Sequence, residues 1–342
     1  MELLYFASDY QEGCDPSILE ALQKTNYDKT PGYGLDPVCE RAKAKICAAC
    51  HAPEAEIWFL SGGTQTNETV IAGALRGYEA VIAAQTGHIH GHEAGAIEHG
   101  GHKVLTLPHK DGKLEPAALQ DFCSAYFADE NLAHTVQPRM VYLSQPTEYG
   151  TLYSKQELTE IAALCRQFGL LLFVDGARLA YALGCEENDV TLPDLAALCD
   201  VFYIGGTKCG ALLGEAVVSK PGVLPHFFTV IKQHGGLLAK GRVLGLQFDC
   251  LFENDRYTQL GRHANALAAR LRRTLADKGY TLTVPSPTNQ IFVTMENDRL
   301  EALRRHVVCG FWEKADETHT VVRLATSWAT TETDIAALEA LL

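Results

Sequence analysis

Residues Val201 to Gly210, VFYIGGTKCG, decide how the chain is read: four apolar residues run into paired glycines and then a single lysine. The apolar run reads as a buried strand. Gly205 and Gly206 leave the backbone unencumbered at its end. Thr207 and Lys208 then fall at the C-terminal edge of a strand, where open α/β sheets bind their ligands. A lone lysine in such a place is also compatible with a solvated loop charge, so its meaning depends on what the rest of the chain brings to the same edge.

Working outward, apolar runs and helical patterns alternate from about residue 37 to 220, the signature of a mostly parallel sheet covered by helices. The predicted strands are Glu56 to Leu60, Ala80 to Gln85, Lys103 to Leu107, Met140 to Ser144, Leu170 to Val174, Val201 to Ile204 and Glu215 to Ser219, seven in all. The clearest helix is Ser154 to Phe168, opened by a capping box of Ser154 and Glu157 and closed by Gly169 at the left-handed cap. After about Gln247 the texture changes. A long amphipathic pattern, Arg256 to Lys278, precedes short strands at Thr281 to Val284, Gln290 to Thr294, Val307 to Trp312 and Thr320 to Thr326, and a final helix. The reading is an α/β fold with a large domain over residues 13–247 and a small α+β C-terminal domain over 248–342, the first twelve residues packing at the site.

A net charge of −13 over 342 residues leaves no clustered Lys and Arg for phosphate-backbone binding, which excludes nucleic acid and favours a small-molecule partner. No apolar run is long enough to span a bilayer, and the N-terminus lacks the basic flank of a signal peptide. Eleven cysteines without that signal point to free thiols in a reducing cytoplasm.

Asp175 follows the apolar strand LLLFV and lies on the same rim as Lys208. A carboxylate beside a lysine is the pair that pyridoxal phosphate chemistry requires: the amine forms a Schiff base with the aldehyde, and the carboxylate keeps the pyridine nitrogen protonated. A structural ion pair or a helix cap is the plain alternative. A third element favours the first reading. In FLSGGTQTNETV a strand meets two glycines and a helix start, so the N–H groups of Gly63, Thr64 and Gln65 form a cup for a phosphate at the positive end of the helix.

Two motifs compete. Five histidines, His88, His90, His92, His99 and His102, fall within fifteen residues, which suggests a metal hydrolase built on the first three; no HExxH or paired CxxC spacing supports it, and the stretch after His92 reads as a helix. The alternative is that one histidine stacks on the pyridine ring. Cys47 to His51 matches CxxCH, but it ends a helical stretch in a chain without an export signal, so neither haem attachment nor a thioredoxin-like redox role is assigned.

Taken together, ASDY, GYGLDP, SGGTQTNE, GHIHGHEAGA, VDGARLAYALG, IGGTKCGALLGEAVV and VVRLATSWATT resemble, in order and spacing, the threonine aldolases of the aspartate-aminotransferase-like fold. The resemblance covers nearly the whole chain. It implies pyridoxal 5'-phosphate as cofactor, Lys208 as the Schiff-base residue, Asp175 on the pyridine nitrogen, His88 as the ring stack, and Gly63 and Thr64 on the phosphate. Arg178 would contact the phenolic oxygen or the substrate carboxylate, Ser8 and Arg323 the substrate carboxylate, and Tyr33 a neighbouring subunit's site. A cytoplasmic homodimer or homotetramer acting on an amino-acid substrate is implied with them.

The sequence departs from that family where ENTHNG is usual. It has SQPTEYG, which puts Glu148 in the place of a histidine near the substrate hydroxyl. The loop GGLLAKGRVLG differs as well. The resemblance implies retro-aldol cleavage of a β-hydroxy-α-amino acid, with Glu148 or a water molecule in the histidine's place as the proton acceptor. The alternatives are β-elimination on a cysteine-, tyrosine- or tryptophan-like substrate, a His-cluster metal hydrolase, and a non-catalytic cofactor-binding protein.

Overall fold

A computed structural model describes residues 3–342. Its centre is a seven-stranded sheet with the order Glu56–Leu60, Glu215–Ser219, Val201–Gly205, Leu171–Asp175, Gln137–Ser144, Glu79–Ala84 and Lys103–Leu107. Only Glu215–Ser219 runs antiparallel to its neighbours. Val201–Gly205 and Glu215–Ser219 are buried at every position, because helices cover both faces of the sheet. The seven predicted strands are all present, with ends shifted by at most three residues.

The capping box of Ser154 and Glu157 forms as read, and Gly169 closes that helix at φ 67°. Where Gly205 passes the Asp175 turn, a Cβ would run into the Ala177 carbonyl. Only glycine lets the two turns approach this closely.

A second, four-stranded antiparallel sheet has the order Thr281–Leu282, Gln290–Glu296, His319–Ala325 and Gly310–Lys314. The helix Arg256–Asp277 joins the two cores: Tyr257, Leu260 and Ala264 pack into the large one, and Leu267, Leu271 and Leu275 into the small one. That spacing of three and four residues is one continuous helical stripe.

Two local readings are corrected. Val307 to Trp312 is not one strand: Val307–Val308 pairs with Leu4–Tyr5, whereas Gly310–Lys314 pairs with His319–Ala325, so the chain changes partner at Cys309. Asn297–Arg304 is a helix that the pattern of short strands does not anticipate. The helix read after His92 is present but short, Ala96–His99, and a further four-residue helix, His88–Gly91, precedes it.

The N-terminal segment reaches the large sheet by way of the small core. Phe6 is buried there, its N–H donating to the Val308 carbonyl at 2.8 Å and its carbonyl accepting from Ala325 N–H at 2.8 Å. Burying one such ring contributes about 1.5–3 kcal/mol. This anchor carries Ala7, Ser8 and Asp9 to the rim of the large sheet.

Candidate active site

Four of the parallel strands, Glu79–Ala84, Gln137–Ser144, Leu171–Asp175 and Val201–Gly205, bring polar side chains to one rim at or just beyond their C-terminal ends. Lys208, Asp175, His88, Glu148, Arg178 and Gly63 line a single cleft. Lys208, His88, Glu148 and Arg178 also line an adjoining cleft of about 390 Å³, together with Arg323.

The Lys208 turn is held from several sides. Tyr181 Oη donates to the Lys208 carbonyl at 2.5 Å, Tyr257 Oη to the Gly205 carbonyl at 2.7 Å, and Gly206 N–H to Glu215 at 2.9 Å. Burial and the Arg178 charge lower the proton affinity of the Lys208 amine, while Asp9, Asp175 and Glu215 oppose them. Glu215 opens the one antiparallel strand and therefore reaches the same rim; burial pushes its carboxyl up to about 8 despite hydrogen bonds from Thr207 and Gly206.

Asp175 is buried and receives four neutral donors. Tyr142 Oη and Asn67 Nδ2 reach Oδ2 at 2.5 and 3.0 Å, while Ala177 N–H, at 2.9 Å, and Tyr203 Oη serve Oδ1. No guanidinium or ammonium is hydrogen-bonded to it among the described residues. Asn67 also donates to Glu93 Oε1 at 2.7 Å, and the same oxygen lies 2.7 Å from His88 Nδ1. Glu93, its side chain wholly buried, thus fixes the orientation of the His88 ring.

Arg178 is engaged differently. Its Nε and Nη2 donate to the two carboxylate oxygens of Asp9 at 2.7 and 2.9 Å, and Asn289 Nδ2 adds a third donor at 2.9 Å. Burial alone would raise the Asp9 carboxyl, but the charge and hydrogen bonds of Arg178, with Lys208 and Asn289, hold it down at about 2. The Nε–Nη2 edge of the guanidinium is therefore committed within the protein.

Arg323 has more in reserve. Nη2 donates to the Ala7 carbonyl at 2.8 Å and Nη1 to Gln290 at 3.2 Å, while Nε is buried without a partner. Glu148 is buried; its carboxylate accepts the His88 N–H at 2.8 Å and the Ser144 hydroxyl at 2.7 Å, and burial raises its proton affinity further than those donors lower it.

The helix Gly63–Ala74 starts without a side-chain cap. Its first bond is Thr66 N–H to the Gly62 carbonyl at 2.9 Å, so the N–H groups of Gly63, Thr64 and Gln65 have no intrahelical partner. The Gln65 side chain is occupied by Ser61 and the His234 carbonyl, leaving only its backbone for a ligand. The Thr207 hydroxyl accepts Gly214 N–H at 3.0 Å. Ser8 is buried next to Asp9. Tyr33 lies apart, 42% exposed in a groove with Leu35 and Trp58, where Lys232 Nζ sits 4.5 Å from its ring centroid.

Among the described residues, no group of three or more His, Cys, Asp and Glu side chains is placed to hold a metal ion. All eleven cysteines are free thiols.

The family model for beta-eliminating lyases matches residues 6–298. The low specificity L-threonine aldolase of a Pseudomonas species is 34% identical over 306 residues, 87% of this chain and 86% of that protein. The Saccharomyces cerevisiae protein of the same name is 24% identical over 82% of this chain and 71% of that one. Among solved structures, the threonine aldolase of Leishmania major superposes with a TM-score of 0.96 at 43% identity, covering 99% of this chain and 98% of the other. An aspartate aminotransferase of Thermus thermophilus, 16% identical with a TM-score of 0.74, shares the fold over 99% of this chain and 91% of that one.

Proposed function

We propose, for a chain that belongs to the beta-eliminating lyase family and within it to the threonine aldolases, that it is a pyridoxal 5'-phosphate-dependent lyase. Its substrates are β-hydroxy-α-amino acids of the threonine and allo-threonine type, cleaved to glycine and an aldehyde. The observation that carries this reading is Asp175, a buried carboxylate with four neutral donors and no cationic partner, on one rim with an amine of lowered proton affinity. The residues fit the cofactor: Asp175 lacks the cation that a pyridinium nitrogen would supply, and three N–H groups at an uncapped helix start suit a phosphate.

When bound, pyridoxal phosphate supplies an electrophilic aldehyde and a protonated ring that takes up the electrons of the broken Cα–Cβ bond. Lys208, more readily neutral than a solvated lysine, would be the nucleophile toward that aldehyde. Asp175 would hold the proton on the ring nitrogen, His88, oriented by Glu93, would stack on the ring, and Arg178 would offer its free edge to a neighbouring oxygen. Arg323, with its unpartnered Nε, holds the substrate carboxylate alongside Ser8. Glu148 accepts the β-hydroxyl proton. Its raised proton affinity brings it closer to the range in which a general base works at neutral pH.

Assembly as a homodimer or homotetramer, with the Tyr33 segment reaching a neighbour's site, and a cytoplasmic location complete the proposal. No helix among the described residues is long and apolar enough to cross a membrane.

The test is Lys208→Ala. We expect the variant to lose covalent cofactor on borohydride reduction, read by mass spectrometry, and to release no glycine or aldehyde from threonine, allo-threonine or phenylserine. Cofactor still covalently attached overturns the assignment of Lys208. Pyruvate and ammonia in place of glycine and aldehyde from the wild-type enzyme would point to β-elimination.

A further inference from the structure

Glu148 and Asp175 hold separate tasks in the proposed reaction, one at the substrate hydroxyl and one at the ring nitrogen. The sheet connects them. Gln137–Ser144 and Leu171–Asp175 are parallel neighbours, with Ser144 opposite Asp175. Tyr142 and Ser144, two residues apart on one strand, point to the same face.

Four buried groups then form an unbroken line. Glu148 Oε1 lies 2.7 Å from Ser144 Oγ, Ser144 Oγ 3.3 Å from Tyr142 Oη, and Tyr142 Oη 2.5 Å from Asp175 Oδ2. We infer that Ser144 is a positioning residue whose hydroxyl reverses direction with the charge of Glu148, coupling the proton state of the general base to the Tyr142–Asp175 pair.

The reason lies in the supply of hydrogens. A serine hydroxyl has one hydrogen to donate and can accept from others. While Glu148 is ionised, the Ser144 hydrogen belongs to its carboxylate, the stronger acceptor. Once Glu148 has taken a proton, from solvent or from the substrate hydroxyl, its own O–H donates to Ser144 Oγ and the serine hydrogen turns to Tyr142 Oη. The Tyr142 hydrogen remains on Asp175 throughout. No bond is made or broken beyond the proton that Glu148 accepts. In a site this buried, the turned dipole is felt at Asp175 with little screening.

Other charged and titratable groups face Glu148. His88 approaches from its short helix with His92 behind it, Tyr149 and Tyr153 belong to its own loop, and Asp175, Arg178, Lys208 and Arg323 lie across the clefts. The donors on its carboxylate are the backbone N–H groups of His88 and of Glu148 itself and the Ser144 hydroxyl, and of the three only the hydroxyl can reverse.

The test is a double-mutant cycle on the holoenzyme, read by infrared titration of the Glu148 carboxyl, with Glu148→Gln identifying the band. Ser144→Ala removes the donor to the ionised form and is expected to raise the Glu148 midpoint by about one pH unit. Tyr142→Phe removes the acceptor used in the protonated form and is expected to lower it by roughly half a unit. In the Ser144→Ala background, Tyr142→Phe should shift the midpoint less than it does beside the serine hydroxyl; any through-space effect of a changed Asp175 is common to both backgrounds and drops out of that difference, which reads the coupling alone. Ser144→Thr, which keeps the hydroxyl, should restore the response to Tyr142→Phe and guards against a folding defect in the alanine variant. Equal shifts from Tyr142→Phe with and without the serine hydroxyl, or no shift on Ser144→Ala, overturn the coupling. The band reads the charge of Glu148 whether or not the enzyme turns over, so this result is independent of the assigned reaction.

Discussion

Two buried aspartates flank Lys208, and they are satisfied in opposite ways. Asp9 is gripped by Arg178 through two parallel hydrogen bonds and by Asn289 through a third. Asp175 receives two tyrosine hydroxyls, one amide and one backbone N–H. In the first case a full positive charge cancels the negative one, and the pair is a brace that ties the N-terminal segment to the sheet rim. In the second the hydrogen bonds solvate the carboxylate and leave its charge intact. A buried charge held by dipoles alone is costly to keep for structure, and is worth keeping where an arriving cation completes it. On the proposed reaction, the contrast fits Asp9 as an architectural brace and Asp175 as the carboxylate that serves the chemistry.

The sharpest way to break that contrast is to neutralise each in turn. Asp175→Asn should lower kcat on threonine by about 10²–10³-fold, the scale for removing one preorganised electrostatic partner, while lowering stability less than the matching change at Asp9. Steady-state kinetics beside urea unfolding gives both numbers. Full activity in Asp175→Asn would remove the central support for the proposed reaction.

Asp9→Asn is the mirror experiment. It strips Arg178 of its counter-charge while leaving the guanidinium buried, and breaking such a pair costs about 3–5 kcal/mol. We expect a loss of that size in urea unfolding, with kcat reduced chiefly through displacement of Arg178. A variant as stable as the wild type would show that Arg178 finds another partner, and that the brace is not where the geometry puts it.

How legible each feature is in the sequence depends on how local it is. The strand-then-glycine pattern at Val201 to Gly205, Lys208 just beyond it, Asp175 after its strand and the Ser154–Glu157 capping box are each encoded within a few residues. Such features can be read directly. Asp9 sits in the ASDY motif without any local mark of its role, because its partner Arg178 is 169 positions away and Asn289 is 280 away. Tyr142, Tyr203, Asn67 and Glu93 look like ordinary strand, helix and loop residues until the sheet order sets them around Asp175 and His88. Glu215 is hidden because only the antiparallel direction of its strand brings it to the site rim. The Val307 to Trp312 reading fails for the same reason: a change of strand partner at Cys309 is a tertiary event without a local signal.

The smallest expected effect concerns acid. Asp9 has a folded-state pKa of about 2 against an ordinary 3.8, so the native state binds the proton less readily than the unfolded chain does. A depressed carboxylate stabilises the fold at pH values above its unfolded pKa, and that contribution is lost as pH falls through the folded value. For Asp9 the window runs from about pH 4 down to about pH 2. A shift of nearly two units corresponds to roughly 2–3 kcal/mol. Urea unfolding of wild type and Asp9→Asn at steps between pH 5 and pH 2.5 should therefore show the gap between them narrowing toward the acid end, since protonated aspartic acid and asparagine are then nearly alike. Other carboxylates titrate in the same range, Asp15 beside Arg256 among them, but they are common to both proteins and drop out of the difference. A gap that stays constant with pH would mean that asparagine disturbs the packing around Arg178 for steric reasons, and that the charge of Asp9 contributes nothing beyond its shape.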